Sequence, residues 1–204
     1  EQAPAEKAPV KSAPQTPDAL DRKLARELET LLANGRVVEA ERRLSSLTRS
    51  QTAGRSRYVL ARALLVEGEV ERALGWLPEN IAATDPELRL LRARALHADG
   101  RLDAAVATLE SRMPAISEQP EYRVTLATLL QQQGRSETAA AHWAELIAWD
   151  DSRAPWWVGL AIALEDQGEL RGAARAYQQA AALPGLPPSL ADYVRRRLQL
   201  LRAG

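Results

Sequence analysis

The sequence predicts an all-α fold, a right-handed superhelix of about five helical hairpins followed by a closing helix. Three observations predict it: the composition favours helices, a set of residue columns recurs about every 34 residues, and prolines frame the repeating region at both ends. A hairpin of this length cannot bury its apolar face alone. Stacked neighbours must therefore share one continuous core.

The composition favours helices and excludes several classes of function. Hydrophobic residues make up 46% of the 204 residues, and Ala and Leu supply most of them, at little entropic cost in a helix. Twenty-seven basic and 27 acidic residues leave a formal net charge of zero, which gives no general reason to bind nucleic acid. There is no Cys, and no phosphate loop or catalytic constellation is visible. We predict a non-enzymatic protein with no cofactor, no metal and no nucleic-acid partner.

Five columns of residues define the repeat. The first column is Gly35, Gly68, Gly100, Gly134 and Gly168, with Ala five residues after each glycine and Leu four residues before it. Large apolar residues follow nine positions after each glycine, and a small residue precedes it by seven except at Leu28. Glycine fits where the first helix of a pair ends, because the chain there turns through a left-handed conformation. Alanine fits where the paired helices approach most closely.

These columns place the elements along the chain. They predict repeats near 18–50, 54–83, 86–116, 119–150 and 153–183. The second helices include one over 70–83, irregular around Pro78, and one over 102–114. Apolar residues at helical spacing predict a closing helix over 188–203. Residues 1–17 contain four prolines and little to bury, so we expect a disordered linker there.

The columns resemble the tetratricopeptide repeat family over residues 18–183. The resemblance implies a concave face, lined mainly by the first helices, that binds protein or peptide partners. The inward positions lie ten, six and three residues before each glycine. They supply these candidate partner-binding residues: Tyr58 and Leu90, then Arg62, Arg94 and Thr128, then Leu65, His97 and Gln131.

The arginines indicate which partner the concave face would bind. Arg62 and Arg94 favour a peptide with an acidic portion, because a guanidinium donates two hydrogen bonds to one carboxylate. The alternative is that both arginines pair with glutamates of the array, at Glu67, Glu69 or Glu87.

Tryptophans provide a second candidate contact. Trp143 and Trp157 stand in the aromatic columns of the repeat, so both are expected in the core. Trp156 must point in another direction than Trp157. We therefore expect Trp156, with Trp149, to contact a partner or another copy of the chain, although Trp156 packing on the neighbouring repeat is an alternative.

Two segments resemble a narrower family. Residues 156–165, beginning Trp-Trp-Val-Gly, and residues 186–198, beginning Leu-Pro-Pro, are similar to the C-terminal end of MshN-type proteins of bacterial type IV (MSHA) pilus biogenesis. The resemblance implies a scaffold on the periplasmic side of the inner membrane, anchored by a helix outside this sequence, with pilus or secretion components as partners. The alternatives are a cytosolic co-chaperone or regulatory adaptor, and a self-associating scaffold that forms homodimers.

Overall fold

The computed structural model describes residues 15–203, which form twelve α-helices and no strand. The helices are α1 Pro17–Ala33, α2 Val37–Leu47, α3 Gly54–Val66, α4 Val70–Trp76, α5 Glu79–Ala82, α6 Pro86–Ala98, α7 Leu102–Glu110, α8 Pro120–Gln132, α9 Ser136–Trp149, α10 Ala154–Asp166, α11 Leu170–Ala182 and α12 Pro188–Ala203. The predicted all-α superhelix with a closing helix is confirmed. Most of the predicted linker, residues 1–14, lies outside the described residues.

The glycine column ends every first helix. All five glycines have φ between 71° and 80°, the left-handed conformation that the sequence predicts. In each turn the amide after the glycine donates to the carbonyl of the column leucine, as Arg36 N does to Leu31 O at 2.9 Å and Arg135 N to Leu130 O at 2.9 Å. These bonds satisfy carbonyls that a helix end leaves free. The alanine five residues after each glycine is fully buried in all five repeats.

The second repeat departs from the predicted boundaries. The expected helix over 70–83 is wrong: α4 ends at Trp76, Leu77 has non-helical angles, and α5 starts after Pro78. Proline has no amide hydrogen and disfavours the helical conformation of the preceding residue. Arginines satisfy the carbonyls at the break, with Arg57 donating to Trp76 O at 3.0 Å and Arg92 to Leu77 O at 2.7 Å.

The second helix of the third repeat is shorter than predicted. It ends at Glu110 rather than at residue 114. Pro114 explains the early end, since a proline ring clashes with the carbonyl four residues before it, here that of Glu110.

A carboxylate from α1 caps α3. Asp21 is buried, and its carboxylate accepts hydrogen bonds from the amides of Arg55 and Ser56, each at 3.0 Å, and from Ser56 Oγ at 2.6 Å. The residue before α3, Ala53, is left-handed and makes no side-chain cap. The cap therefore comes from the neighbouring repeat, and it holds α1 and α3 side by side.

None of the helices within residues 15–203 combines the length and the apolar character that crossing a bilayer requires.

Candidate partner-binding surface

In a superhelix of stacked hairpins the first helices line the concave face, and in this chain they are α1, α3, α6, α8 and α10. The column six residues before each glycine follows this face. Glu29, Arg62, Arg94 and Thr128 are exposed there, and Ile162 is half-buried. Along this column the charge is negative at Glu29 and positive at Arg62 and Arg94, and the last two positions are uncharged.

Two adjoining cavities lie between α1 and α3. Their volumes are about 360 and 410 Å³, and they share Glu29, Tyr58 and Val59. We call this surface the N-terminal groove, and its lining residues used below are Arg22, Arg26, Glu29, Leu32, Tyr58, Val59, Arg62 and Val66. The first cavity also reaches the start of α6 at Asp85, Glu87 and Leu88.

The floor of the N-terminal groove is apolar. Leu32, Tyr58 and Val59 are half-buried, whereas Val66 is 81% exposed. A branched aliphatic residue with this exposure gains little from folding, since burial is what stabilises an apolar side chain. Val66 and its half-buried neighbours thus form a patch that a bound apolar side chain would cover.

Three arginines of the concave face have no counter-charge in the described part of the chain. Within residues 15–203, Arg26, Arg62 and Arg94 make no ion pair within 4.0 Å, and the nearest polar contact of Arg94 is Thr125 Oγ1 at 3.5 Å. The alternative that Arg62 and Arg94 pair with glutamates of the array is therefore wrong. Arg22 differs, because it pairs with Asp18 at 2.9 Å.

The structure buries one predicted groove residue, Leu90. It is only 4% exposed and belongs to a core cluster against which Leu65 of α3 and Val124 of α8 pack. Its position ten residues before the glycine therefore faces the neighbouring first helices rather than solvent. Tyr58 and Leu65 are half-buried at the edge of the face.

Gln131 serves the packing between repeats. Its side chain donates to Gly159 O at 3.1 Å and accepts from Trp143 Nε1 at 3.1 Å, so both ends of the amide are occupied. His97 is exposed, and its Nε2 lies 2.8 Å from Gln132 Oε1 of the next first helix. Thr128 is exposed, and its hydroxyl donates to Val124 O at 2.9 Å.

The adjacent residues Trp156 and Trp157 are oriented in the opposite way to that expected from the sequence. Trp156 is only 7% exposed, with its ring 6.2 Å from that of Trp149 and 5.6 Å from the Arg153 guanidinium. The expectation that Trp156 is exposed is wrong, and the alternative that it packs on the neighbouring repeat holds. Trp157 is half-buried, and its Nε1 donates to Asp151 O at 2.8 Å. Trp143 is buried as predicted, and Trp149 is exposed.

The sequence contained a signal for this orientation. Trp156 stands twelve residues before its glycine, where the three preceding repeats carry the buried residues Ser56, Leu88 and Tyr122. Trp157 stands eleven before, where the same repeats carry arginine. A comparison of these two columns would have placed Trp156 in the core.

The groove residues of α1 were missed by the sequence analysis. Glu29 and Leu32 stand six and three residues before Gly35, so the same rule applied to the first repeat finds them. Arg26 lies about one helical turn and Arg22 about two turns before Glu29, and both stand outside those columns.

The described part of the chain contains no group of three or more His, Asp or Glu residues placed to hold a metal ion.

Solved structures show the same fold at low sequence identity. A tetratricopeptide repeat protein from Parabacteroides merdae superposes with a TM-score of 0.69 at 15% identity, over 90% of this chain and 73% of that one. PilF from Pseudomonas aeruginosa gives 0.65 at 14%, over 91% and 90%. YrrB, described as a tetratricopeptide repeat protein with an unusual peptide-binding site, gives 0.66 at 16%, over 85% and 90%.

Family models identify the repeats directly from the sequence. Comparison with curated proteins finds no match. One tetratricopeptide repeat model matches residues 26–86 and 124–187, and a second matches residues 86–111. These matches cover more than half of the chain, and proteins built from such repeats are generally non-enzymatic scaffolds that bind proteins or peptides. The chain therefore belongs to the tetratricopeptide repeat family.

Proposed function

We propose that this chain is a scaffold that binds an acidic segment of a partner protein in its N-terminal groove and along the adjoining concave face. The observation that carries the proposal is that Arg26, Arg62 and Arg94, one in each of the first three repeats, make no ion pair with any residue between 15 and 203. Guanidinium groups bind carboxylates through paired, charge-assisted hydrogen bonds. A segment that crosses the first helices would meet one such group in each of these repeats.

The groove also specifies an apolar residue in the partner. The cavity of about 410 Å³ beside Val66 and Leu32 has room for a branched or aromatic side chain, and burial of such anchors supplies most of the binding energy in many interfaces. Glu29 lines the same cavity and would repel a carboxylate there. We expect an apolar anchor at this point, with acidic residues on the sides toward Arg26 and toward Arg62 and Arg94.

The sequence resemblance supports a setting for this scaffold. Residues 156–165 and 186–198 are similar to MshN-type proteins, so we assign the chain to assembly of a type IV pilus or secretion machine. The partners would be components of that machine, on the periplasmic side of a bacterial inner membrane. Self-association is a separate property that sedimentation at several concentrations would measure.

The test compares charge reversal on two faces. Purified chain is titrated into labelled peptides of pilus-assembly proteins that contain an apolar residue between acidic ones. Reversal of Arg62 and Arg94 to Glu should weaken binding by about 10–100-fold, and the affinity of the wild type should fall as salt rises.

The matched control reverses two exposed arginines on second helices. Arg42 of α2 and Arg175 of α11 are exposed, so Arg42→Glu/Arg175→Glu makes the same change in net charge away from the concave face. Equal binding by the two double variants would refute the proposed groove, provided that circular dichroism shows both to be folded.

A further inference from the structure

A cavity lies between α5, α6 and α7. Helices α5 and α7 belong to the second halves of repeats 2 and 3, and α6 is the first helix of repeat 3. The cavity has a volume of about 340 Å³, and its polar lining residues are Glu79, Arg89, Arg92, Arg101, Thr108 and Ser111. It shares no lining residue with the N-terminal groove. Any ligand of this cavity would therefore occupy a second, separate site.

The charges that line this cavity do not balance. Three guanidinium groups face one carboxylate, Glu79, which makes no ion pair within 4.0 Å among residues 15–203. Arg101 approaches Asp99 at 3.9 Å, the long limit for an ion pair, and Arg101 is exposed. The cavity wall therefore carries excess positive charge, and a bound anion would compensate it.

Arg89 is fixed in the wall by neutral partners. It is 4% exposed, and it donates to Ala83 O and Arg112 O at 2.8 Å each and to Tyr122 Oη at 3.3 Å. No carboxylate of the described residues lies within 4.0 Å of it. A buried guanidinium without a counter-ion is electrostatically costly, so an anion nearby would be stabilising.

Arg92 supplies the donors that remain available. It is half-buried, it uses one Nη1 hydrogen for Leu77 O, and its buried Nε has no hydrogen-bond partner in the described chain. The hydroxyls of Thr108 and Ser111 donate to backbone carbonyls, at 2.8 and 2.7 Å, and keep acceptor lone pairs. Arg92 and Arg101 thus present guanidinium hydrogens to the cavity from α6 and from the residue that precedes α7.

We propose that this cavity is an oxyanion-binding site that takes a phosphate or carboxylate group through Arg92 and Arg101, with Arg89 supplying fixed positive charge. Carboxylate is planar and phosphate is tetrahedral, but each offers two neighbouring oxygens that a guanidinium group binds through parallel hydrogen bonds.

The test is calorimetric titration of the chain with inorganic phosphate and, separately, with acetate, each at constant ionic strength set by chloride. The proposal predicts saturable binding of at least one of the two anions, and which one binds identifies the source of the oxyanion. Arg92→Gln removes this guanidinium together with its Nη1 donor to Leu77 O, and we expect it to raise the dissociation constant by about 10-fold or more.

Two further variants keep the test decisive. Arg101→Gln changes an exposed side chain, so it should fold normally, and it should weaken binding in the same direction. Arg42→Gln, on α2 and outside the cavity, should leave the affinity unchanged. Saturable binding of neither anion by the wild type, or equal affinities in wild type, Arg92→Gln and Arg101→Gln, would overturn the assignment.

Discussion

Replacement of Gly159 by alanine tests how closely α10 packs against Trp143 of α9 in the last two repeats. It lies inside α10, where glycine destabilises a helix by about 1 kcal/mol relative to alanine. A Cβ added to Gly159 would lie 2.4 to 2.7 Å from three atoms of the Trp143 indole. Helix propensity thus predicts that Gly159→Ala stabilises the protein, and packing predicts the opposite.

The magnitudes favour packing. Carbon atoms pack best at about 3.5–4.0 Å, so the indole would have to move by about 1 Å. Trp143 is buried and its Nε1 is bonded to Gln131, so a shift strains the core and weakens that hydrogen bond. Overpacking costs about 1–3 kcal/mol and a lost hydrogen bond about 1 kcal/mol. After the gain in propensity is subtracted, we expect a net loss of about 1–3 kcal/mol.

Urea denaturation followed by circular dichroism measures this change, with Gly75→Ala as the matched control. Gly75 lies within α4, and a Cβ there would meet no heavy atom within 4 Å. Gly75→Ala should therefore raise the free energy of unfolding by up to about 1 kcal/mol. If Gly159→Ala is as stable as the wild type or more stable, the close approach of Trp143 to α10 is wrong.

Two further predictions concern buried polar groups. Asp21→Ala removes the shared cap of α3 and should cost about 1–3 kcal/mol of unfolding free energy, whereas Asp18→Ala, at an exposed site, should cost under about 0.5 kcal/mol in the same denaturation assay. Equal costs would show that the cap is not formed. Burial, and secondarily the charge of Arg123, lowers the pKa of His142 below its ordinary 6.5. The unfolded chain then binds the proton more readily than the folded one, so stability should fall as pH drops below about 6.5. His142→Gln should lose less stability than the wild type between pH 7 and pH 5.5, and an identical loss would contradict the prediction.

The repeat columns predicted the fold because each column has one steric cause. A glycine at φ near 75° and an alanine with no exposed surface are requirements of single positions, and a sequence displays them directly. Pro78 also marks the broken helix, but the cavity beside it depends on how α5 and α7 pack. Packing of this kind is not encoded at any single position.

The partner-binding residues were harder to predict than the fold, because their burial and pairing depend on side chains from other helices. The repeat pattern predicted that residues six positions before each glycine are exposed. Arg62 and Arg94 are exposed as expected. The orientation of Leu90 depends on neighbouring side chains, and so does the pairing of each arginine. The cap from Asp21 joins residues 35 positions apart, beyond the reach of local sequence patterns.

The most direct test of the proposed groove is a nuclear magnetic resonance titration that observes the arginine Nε–H signals of the chain. An acidic peptide that contains one apolar anchor is added, with a spin label beside its acidic residues. Occupation of the N-terminal groove and the adjoining concave face predicts broadening of the Arg26, Arg62 and Arg94 signals, with those of Arg42 and Arg175 unchanged. Equal broadening of all five signals, or broadening confined to Arg42 and Arg175, would contradict a partner site on the concave face.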